Sequence, residues 1–338
     1  MSKSYGVVLI GCGHMGKEHI KNIYYKDNVR VVGVVDIDEE KSKLFAKMYG
    51  AESYSTDYKS YLKNDKVNIF IIATYPSTHL PILEDCIKWG KHVICEKPIA
   101  SSYKEGKEFI NLVRSSKSKV LVGHILRHNE SYNKIKDMIA QGVLGTPIIM
   151  RMVQNHHTKD WPKYKKLIEE TSPIIDCGIH YIDIMRWVTG AEVKSISGIC
   201  QRTEEDIPKN KYNYGMINLT FTDNSVAFYE AGWGNTIKAQ NIKEFIGPKG
   251  RVTLTYKRDR ADNKEEGDLI EYYKYSENKY EIINVDSNRK PTDIQFNKLI
   301  HMIENDEEAY PTIFDVEKAF ELSFIADEAI RENKLVIL

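Results

Sequence analysis

Val7-Val8-Leu9-Ile10-Gly11-Cys12-Gly13-His14-Met15-Gly16 decides the fold: a short apolar run leads into Gly-x-Gly-x-x-Gly, and a helical pattern opens inside it. Strand, glycine turn and helix in that order make a phosphate cradle. The first glycine allows the tight turn, the second lets backbone approach a diphosphate, and the third lets helix and strand pack closely. Unpaired N–H groups at the helix start face the anion. Alone, such a triplet is a weak signal, because unrelated strand-to-helix turns are also glycine-rich. Asp36 strengthens it. This acid stands 20 residues beyond Gly16, at the end of a second apolar run from Val31 to Val35, where a carboxylate accepts hydrogen bonds from ribose hydroxyls. Its charge repels a 2′-phosphate and no Arg follows nearby to counter it, so NAD is the expected cofactor. Gly11, Cys12, Gly13, His14, Met15, Gly16 and Asp36 are its expected contacts.

Outward from this turn, residues 5 to 123 alternate β-rich runs with helical patterns, the mark of a parallel sheet covered on both faces. Strands are expected at Val7 to Ile10, Val31 to Val35, Ile69 to Ala73, His92 to Cys95 and Val120 to Gly123, with helices over 15–25, 39–49, 78–89 and 103–115. Connection rules then give a Rossmann-like doubly wound sheet with its ligand crevice beyond the strand C-termini. After residue 124 the pattern changes. A helix (130–141) ends at Gly142, a strand runs from Pro147 to Asn155 and enters a loop, and a helix spans Ile174 to Val188. Seven β-rich segments follow between 193 and 285, with hairpin turns at Asp223-Asn224 and Gly247-Pro248-Lys249-Gly250. Residues 258–268 read as a charged, solvated connection, and helices over 292–304 and 315–332 close the chain. The expected architecture is α/β: a Rossmann domain over 1–124, then an α+β domain over 125–338 with an open, mostly antiparallel sheet.

The 338 residues exceed one ordinary core and suit two domains. Lys plus Arg equals Asp plus Glu at 48 each, which removes the electrostatic argument for nucleic acid or an anionic membrane surface. Cys12, Cys86, Cys95, Cys177 and Cys200 are odd in number and contain no Cys-x-x-Cys pair, so a reducing, cytoplasmic setting fits better than a disulfide framework or zinc knuckle. Lys3 followed by Tyr5 to Ile10 imitates a signal peptide only superficially: the apolar stretch is short and meets the glycine turn without a small-residue cleavage site. No apolar run approaches the length of a bilayer span.

Two clusters could carry chemistry. His92-Val93-Ile94-Cys95-Glu96-Lys97-Pro98 is a strand whose C-terminal end delivers an acid and an amine to the crevice. Pro98 biases Lys97 away from helix, which suits a side chain that is aimed rather than packed, although most strand-end lysines are simply solvated. The second cluster is Asp176-Cys177-Gly178-Ile179-His180. On a helix, Asp176 and His180 share one face, and an imidazole supported by a carboxylate suits removal of a hydroxyl proton. An ordinary surface ion pair has the same spacing. His124 and His128 also have metal-like spacing but lack an adjacent glutamate or evident third ligand, so no metal is expected. At the end of the Pro147 strand, alternation sends His156 to one face and Asn155 and His157 to the other. Either set could line a sugar pocket, and Asn155 and His157 stand as candidate substrate ligands.

Taken together, the glycine turn with Asp36, Ala73-Thr74-Tyr75-Pro76-Ser77-Thr78-His79, Glu96-Lys97-Pro98, and Asp176-x-x-x-His180 followed by Asp183 and Trp187 resemble the Gfo/Idh/MocA oxidoreductases over nearly the whole chain. The pattern looks especially like inositol and sugar dehydrogenases. The resemblance implies a catalytic set of Lys97, Asp176 and His180, all three also touching substrate. It places Thr74 and His79 by the cofactor, Glu96 near the nicotinamide ribose and Lys97 beside the nicotinamide. It further implies a homo-oligomer, dimer or tetramer, and oxidation of a secondary hydroxyl of a polyol, inositol or sugar to a ketone. Tyr75 departs from the smaller residue or proline common in relatives. Two alternatives share the fold: an enzyme that retains NAD for transient oxidation in glycoside cleavage or epimerisation, and a sensor that binds nucleotide and sugar without turnover.

Overall fold

The apolar run around Val7 forms strand β1 (Tyr5–Ile10), and every one of its residues is buried. In the computed structural model, which describes residues 4–262 and 264–338, β1 lies at the centre of a six-stranded parallel sheet. Lys3, and Asn263 within the charged 258–268 segment, lie outside the described residues. The remaining strands are β2 (Val29–Val35), β3 (Tyr54–Ser55), β4 (Ile69–Ile72), β5 (His92–Cys95) and β6 (Val120–Val122), in the order β3-β2-β1-β4-β5-β6. The order reverses beside β1, so a crevice opens at the carboxyl ends of β1 and β4. Helices α1 (His14–Lys21), α2 (Glu39–Tyr49), the one-turn α3 (Lys59–Leu62), α4 (His79–Lys88) and α5 (Tyr103–Ser115) make the crossovers. Local chemistry sets their ends. Asp38 accepts the Lys41 N–H to start α2, Gly50 stops it at φ 64°, and Ser102 accepts the Glu105 N–H to start α5.

This first unit comprises residues 1–125 and 290–317, while the second comprises 126–289 and 318–338. Residues 290–317 thus group with the first unit, although they lie within the stretch 125–338 expected to form the second domain. The chain returns to the first unit for α10 (Thr292–Asn305), which buries Phe296, Leu299, Ile300 and Met302 in the same core as Tyr5, Ile20 and Leu121. Asn22 donates to Thr292 Oγ1 at 2.8 Å, and Tyr5 donates to Glu304 at 2.8 Å. An amphipathic pattern says that a helix buries one face, not which sheet receives it.

The second unit is built on β7 (Ile149–His157), β8 (Val193–Gln201), β9 (Tyr214–Phe221), β10 (Val226–Gly234), β11 (Gln240–Gly247), β12 (Gly250–Thr255), β13 (Asp268–Lys274), β14 (Lys279–Val285) and β15 (Val336–Ile337). Among the described residues these form one sheet in the order β14-β13-β12-β11-β7-β10-β9-β8-β15. Its β7–β10 pair is parallel and its other pairs are antiparallel. One face packs against α6 (Glu130–Ala140), α8 (Pro173–Asp176), α9 (Gly178–Thr189) and the later part of α11 (Ile313–Arg331), through residues such as Ile135, Ile174, Ile182 and Ala326.

Three sequence expectations change in this unit. The 174–188 helix is two helices broken at Cys177, because Ser172 and Pro173 start a short turn that Gly178 restarts against the Tyr229 ring. The loop after β7 contains α7 (Trp161–Glu170). The 258–268 segment is not uniformly solvated: Arg260 is buried and donates to Asp262, Asn284 and the Gly267 carbonyl. No described helix is long and apolar enough to cross a membrane. Among the described residues no three His, Cys, Asp or Glu side chains converge as a metal site, and His124 and His128 are both buried.

Candidate active site

The glycine turn has different steric demands at each of its three positions. Gly11 has φ +98°, and a Cβ there would lie 2.5 Å from the Ala73 carbonyl oxygen, so only glycine suits it. A Cβ on Gly16 would lie 1.9 Å from the Gly11 carbonyl oxygen, which is how closely α1 approaches the turn. Gly13 is the opposite case. A Cβ there would meet nothing within 4 Å, and Gly13 precedes α1 with no side chain capping the helix. Exposed His14 and half-buried Met15 follow it. Open space in front of uncapped helix N–H groups fits a dinucleotide diphosphate.

Asp36, at the carboxyl end of β2, is pinned by backbone: the Cys12 N–H donates to Oδ2 at 2.7 Å and the Asp38 N–H to Oδ1 at 2.9 Å. The Cys12 thiol is pushed up to about 12, first by burial and then by the Asp36 charge, so it is no nucleophile at neutral pH.

At the next two strand ends the structure separates surface residues from buried ones. Thr74 and Thr78 share a hydrogen bond of 2.6 Å between their hydroxyls at the edge of the crevice, and Tyr75 stands half-buried between them. His79 does not face solvent. It is fully buried, with Nδ1 3.0 Å from the Pro98 carbonyl and Nε2 3.2 Å from the Thr74 carbonyl. Burial holds its pKa down to about 4 despite those two acceptors, so at neutral pH the ring carries a single N–H between the carbonyls of the loops after β4 and β5. Glu96 is likewise buried, with Oε1 2.7 Å from His19 Nε2. Burial alone would raise its carboxyl, but the His19 hydrogen bond and the neighbouring Lys97 and Lys290 ammoniums outweigh that and keep it low. Lys97, half-buried, follows at the same carboxyl edge of the sheet as the glycine turn.

In the second unit Asp176 is the last residue of α8, and its Oδ2 lies 3.6 Å from the Cys177 thiol. His180 sits in the first turn of α9, its N–H donating to the Cys177 carbonyl at 3.2 Å, so the two side chains belong to consecutive helices. Farther along α9, Asp183 receives a two-pronged hydrogen bond from Arg127 at 2.9 and 2.7 Å. The guanidinium also lies over the Trp187 ring, 5.7 Å from its centroid. This buried clamp fixes the helix that carries His180.

Strand register decides which β7 side chains face these helices. His156 pairs with Trp233, whose ring is in the helix-covered core, whereas Asn155 pairs with Gly232 and points to the other face. There Asn155 donates to Glu230 at 2.6 Å, and His157 is exposed. His156 instead meets the Tyr164 hydroxyl at 2.9 Å, and Tyr164 packs edge-on against Trp233 with centroids 5.5 Å apart. Tyr164 is held up at about 12 by burial, then by Cys177 and Asp176, and so stays a hydrogen-bond donor. Sequence reading passed over Tyr164, His19 and Lys243. A signal existed for two of them: His19 falls on the inner face of α1 beside Ile20 and Ile23, and Lys243 has the strand parity of buried Phe245.

Residues 5–124 match the model of the oxidoreductase family with the NAD-binding Rossmann fold, and residues 132–253 match the GFO/IDH/MocA C-terminal domain. The chain belongs to the Gfo/Idh/MocA oxidoreductases. This Gfo/Idh/MocA chain has curated relatives along most of its length. One is an inositol 2-dehydrogenase of Rubrobacter xylanophilus, 25% identical over 265 residues, covering 75% of this chain and 72% of that protein. Among solved structures, myo-inositol 2-dehydrogenase of Lactobacillus plantarum superposes with a TM-score of 0.82 at 19% identity, covering 99% and 100% of the two chains. The aldose–aldose oxidoreductase of Caulobacter crescentus gives 0.85 at 19% identity, over the same shares. At those identities the two structures bear on the fold of this Gfo/Idh/MocA chain alone.

Proposed function

We propose that this chain is an NAD-dependent dehydrogenase that oxidises a secondary hydroxyl of a polyol, inositol or sugar to a ketone. The observation that carries the reading is Lys97 at the carboxyl end of β5, on the same sheet edge as a cradle whose open space begins at Gly13. Gly11, Gly13 and Gly16 with the helix N–H groups would hold the diphosphate, and Asp36 the adenosine ribose. Bound NAD would supply the hydride acceptor. His180 takes the hydroxyl proton, Asp176 orients the imidazole and supports its charge, and the Lys97 ammonium stabilises alkoxide character on the substrate oxygen. His156 and Tyr164 are polar groups on the helix-covered face of the sheet and present hydrogen bonds to the other hydroxyls. The names of the inositol dehydrogenases among its relatives support a neutral polyol.

A screen of inositols, polyols and sugars for NAD reduction, followed by Lys97→Ala and His180→Ala on the best substrate, tests the reading. Turnover should fall by about 10²-fold or more, with the NAD dissociation constant little changed. Wild-type turnover in both variants sinks it. Likeness to an aldose–aldose oxidoreductase favours a second reading, in which the cofactor stays bound while one sugar is oxidised and another reduced. Protein purified with bound NAD(H) that yields no free NADH on sugar addition would decide for that reading.

A further inference from the structure

His19 and Glu96 are 77 residues apart, yet their side chains meet at 2.7 Å, with relative exposures of 1% and 6%. A carboxylate so deeply buried is retained only where hydrogen bonds and neighbouring charge compensate its lost hydration. Its surroundings are tightly drawn. A Cβ on Gly123 would come within 2.8 Å of Glu96 Oε2, so the acid fills the space that glycine leaves. His19 lies one turn beyond Met15 on α1, and the Lys290 ammonium, brought from 275 residues away, reaches Met15 Sδ at 3.4 Å. His19 from α1 touches Glu96, and the carboxylate's charge also acts on or feels Lys290 from the segment before α10, His79 from α4, and Cys95 and Lys97 from its own strand end.

The other ring nitrogen, His19 Nδ1, is buried and has no hydrogen-bond partner among the described residues. An imidazolium would strand an N–H there, whereas the tautomer with its hydrogen on Nε2 leaves only a lone pair unmatched. In that form His19 orients the carboxylate without neutralising it. The negative charge of Glu96 remains for the adjacent cations.

We propose that His19 is a positioning residue that, through its hydrogen bond to Glu96, fixes the carboxylate that keeps Lys97 charged. The inference rests on the reading of Lys97 as the ammonium that stabilises the alkoxide. Glu96 then acts behind the site, on Lys97, rather than on the nicotinamide ribose.

The test uses the full chain with lysines reductively methylated with carbon-13, the Lys97 resonance being assigned by its loss in Lys97→Arg, and follows that resonance with pH without cofactor. Glu96→Gln removes the charge, His19→Leu removes the donor, and His19→Gln restores a donor at the same reach. The first two should move the Lys97 midpoint toward acid by at least tenfold in proton concentration, and His19→Gln should stay within about threefold of wild type. A purely structural pair would lower the thermal midpoint of all three variants and leave the Lys97 titration in place, which overturns the proposal. Should His19→Leu fail to fold, an unmoved midpoint in Glu96→Gln overturns it equally. Turnover of Lys97→Ala separates the two ideas. If that variant keeps wild-type turnover, the reading of Lys97 falls; if it loses turnover while His19→Leu titrates as wild type, only the role of His19 falls.

Discussion

The backbone N–H of Cys12, inside the glycine turn, donates to Asp36 Oδ2 at 2.7 Å. This bond locks the turn to the acid that would meet the adenosine ribose, so the carboxylate cannot swing aside for a 2′-phosphate. Like charges juxtaposed cost several kcal/mol, and Lys41, the nearby cation, is held by Asp38 at 3.2 Å. Wild-type protein should therefore bind NAD at least about 10²-fold more tightly than NADP, and Asp36→Ala should bring the two within about tenfold. Fluorescence titration with both nucleotides measures it, and equal affinity in the wild type removes Asp36 from this role.

Gly13 and Gly16 should respond differently to alanine. Gly13 faces open space, so Gly13→Ala should shift the thermal midpoint by no more than about 3 °C while weakening NAD about tenfold or more. Gly16→Ala drives a Cβ to 1.9 Å from the Gly11 carbonyl oxygen and should lose stability and binding together. Scanning calorimetry paired with nucleotide titration distinguishes the two behaviours.

Arg127 and Asp183 form a buried, two-pronged ion pair with side-chain exposures of 3% and 2%. Removing one partner strands the other charge. Asp183→Asn should cost about 3–5 kcal/mol in urea unfolding, far more than Lys41→Ala at the exposed, solvent-screened Asp38 pair.

Lys243 is buried under the second sheet with its ammonium 4.6 Å from the centroid of the Tyr181 ring, donating to the Val153 carbonyl at 2.8 Å. Burial pulls its pKa down to about 7 from the ordinary lysine value of 10.5, with Asp259 opposing and Arg289 and Arg258 assisting. Because the folded value is the lower one, the unfolded chain holds the extra proton between those limits, and stability rises with pH across that window. The penalty is full below pH 7 and gone above pH 10.5. Lys243→Met should therefore be more stable than wild type at pH 6, and its advantage should shrink toward pH 10. Unfolding midpoints at several pH values check the trend, and an advantage that grew with pH would refute it.

Much of this organisation is local and can be read from the chain alone. The runs Val31 to Val35 and His92 to Cys95 are strands because buried parallel strands are continuously apolar, and the Asp38 and Ser102 caps start helices within a few residues of themselves. Alternation likewise separates His156 from Asn155 and His157. It cannot say which face the helices cover. That depended on the pairing of β7 with β10, which puts His156 beside Trp233 and turns Asn155 toward Glu230.

What the amino-acid order settled unaided was most of the run of strands and helices, the glycine turn followed by its acid, and the family pattern in Lys97, Asp176 and His180, because each depends on spacing over a few residues or on a recurrent motif. What folding alone decided was the company those residues keep. His19 beneath Glu96, Arg127 clamped to Asp183, Lys243 under Tyr181 and α10 packed on the first core are contacts between segments distant in sequence. No local period encodes them, because burial, register and the pairing of buried charges are properties of the assembled chain.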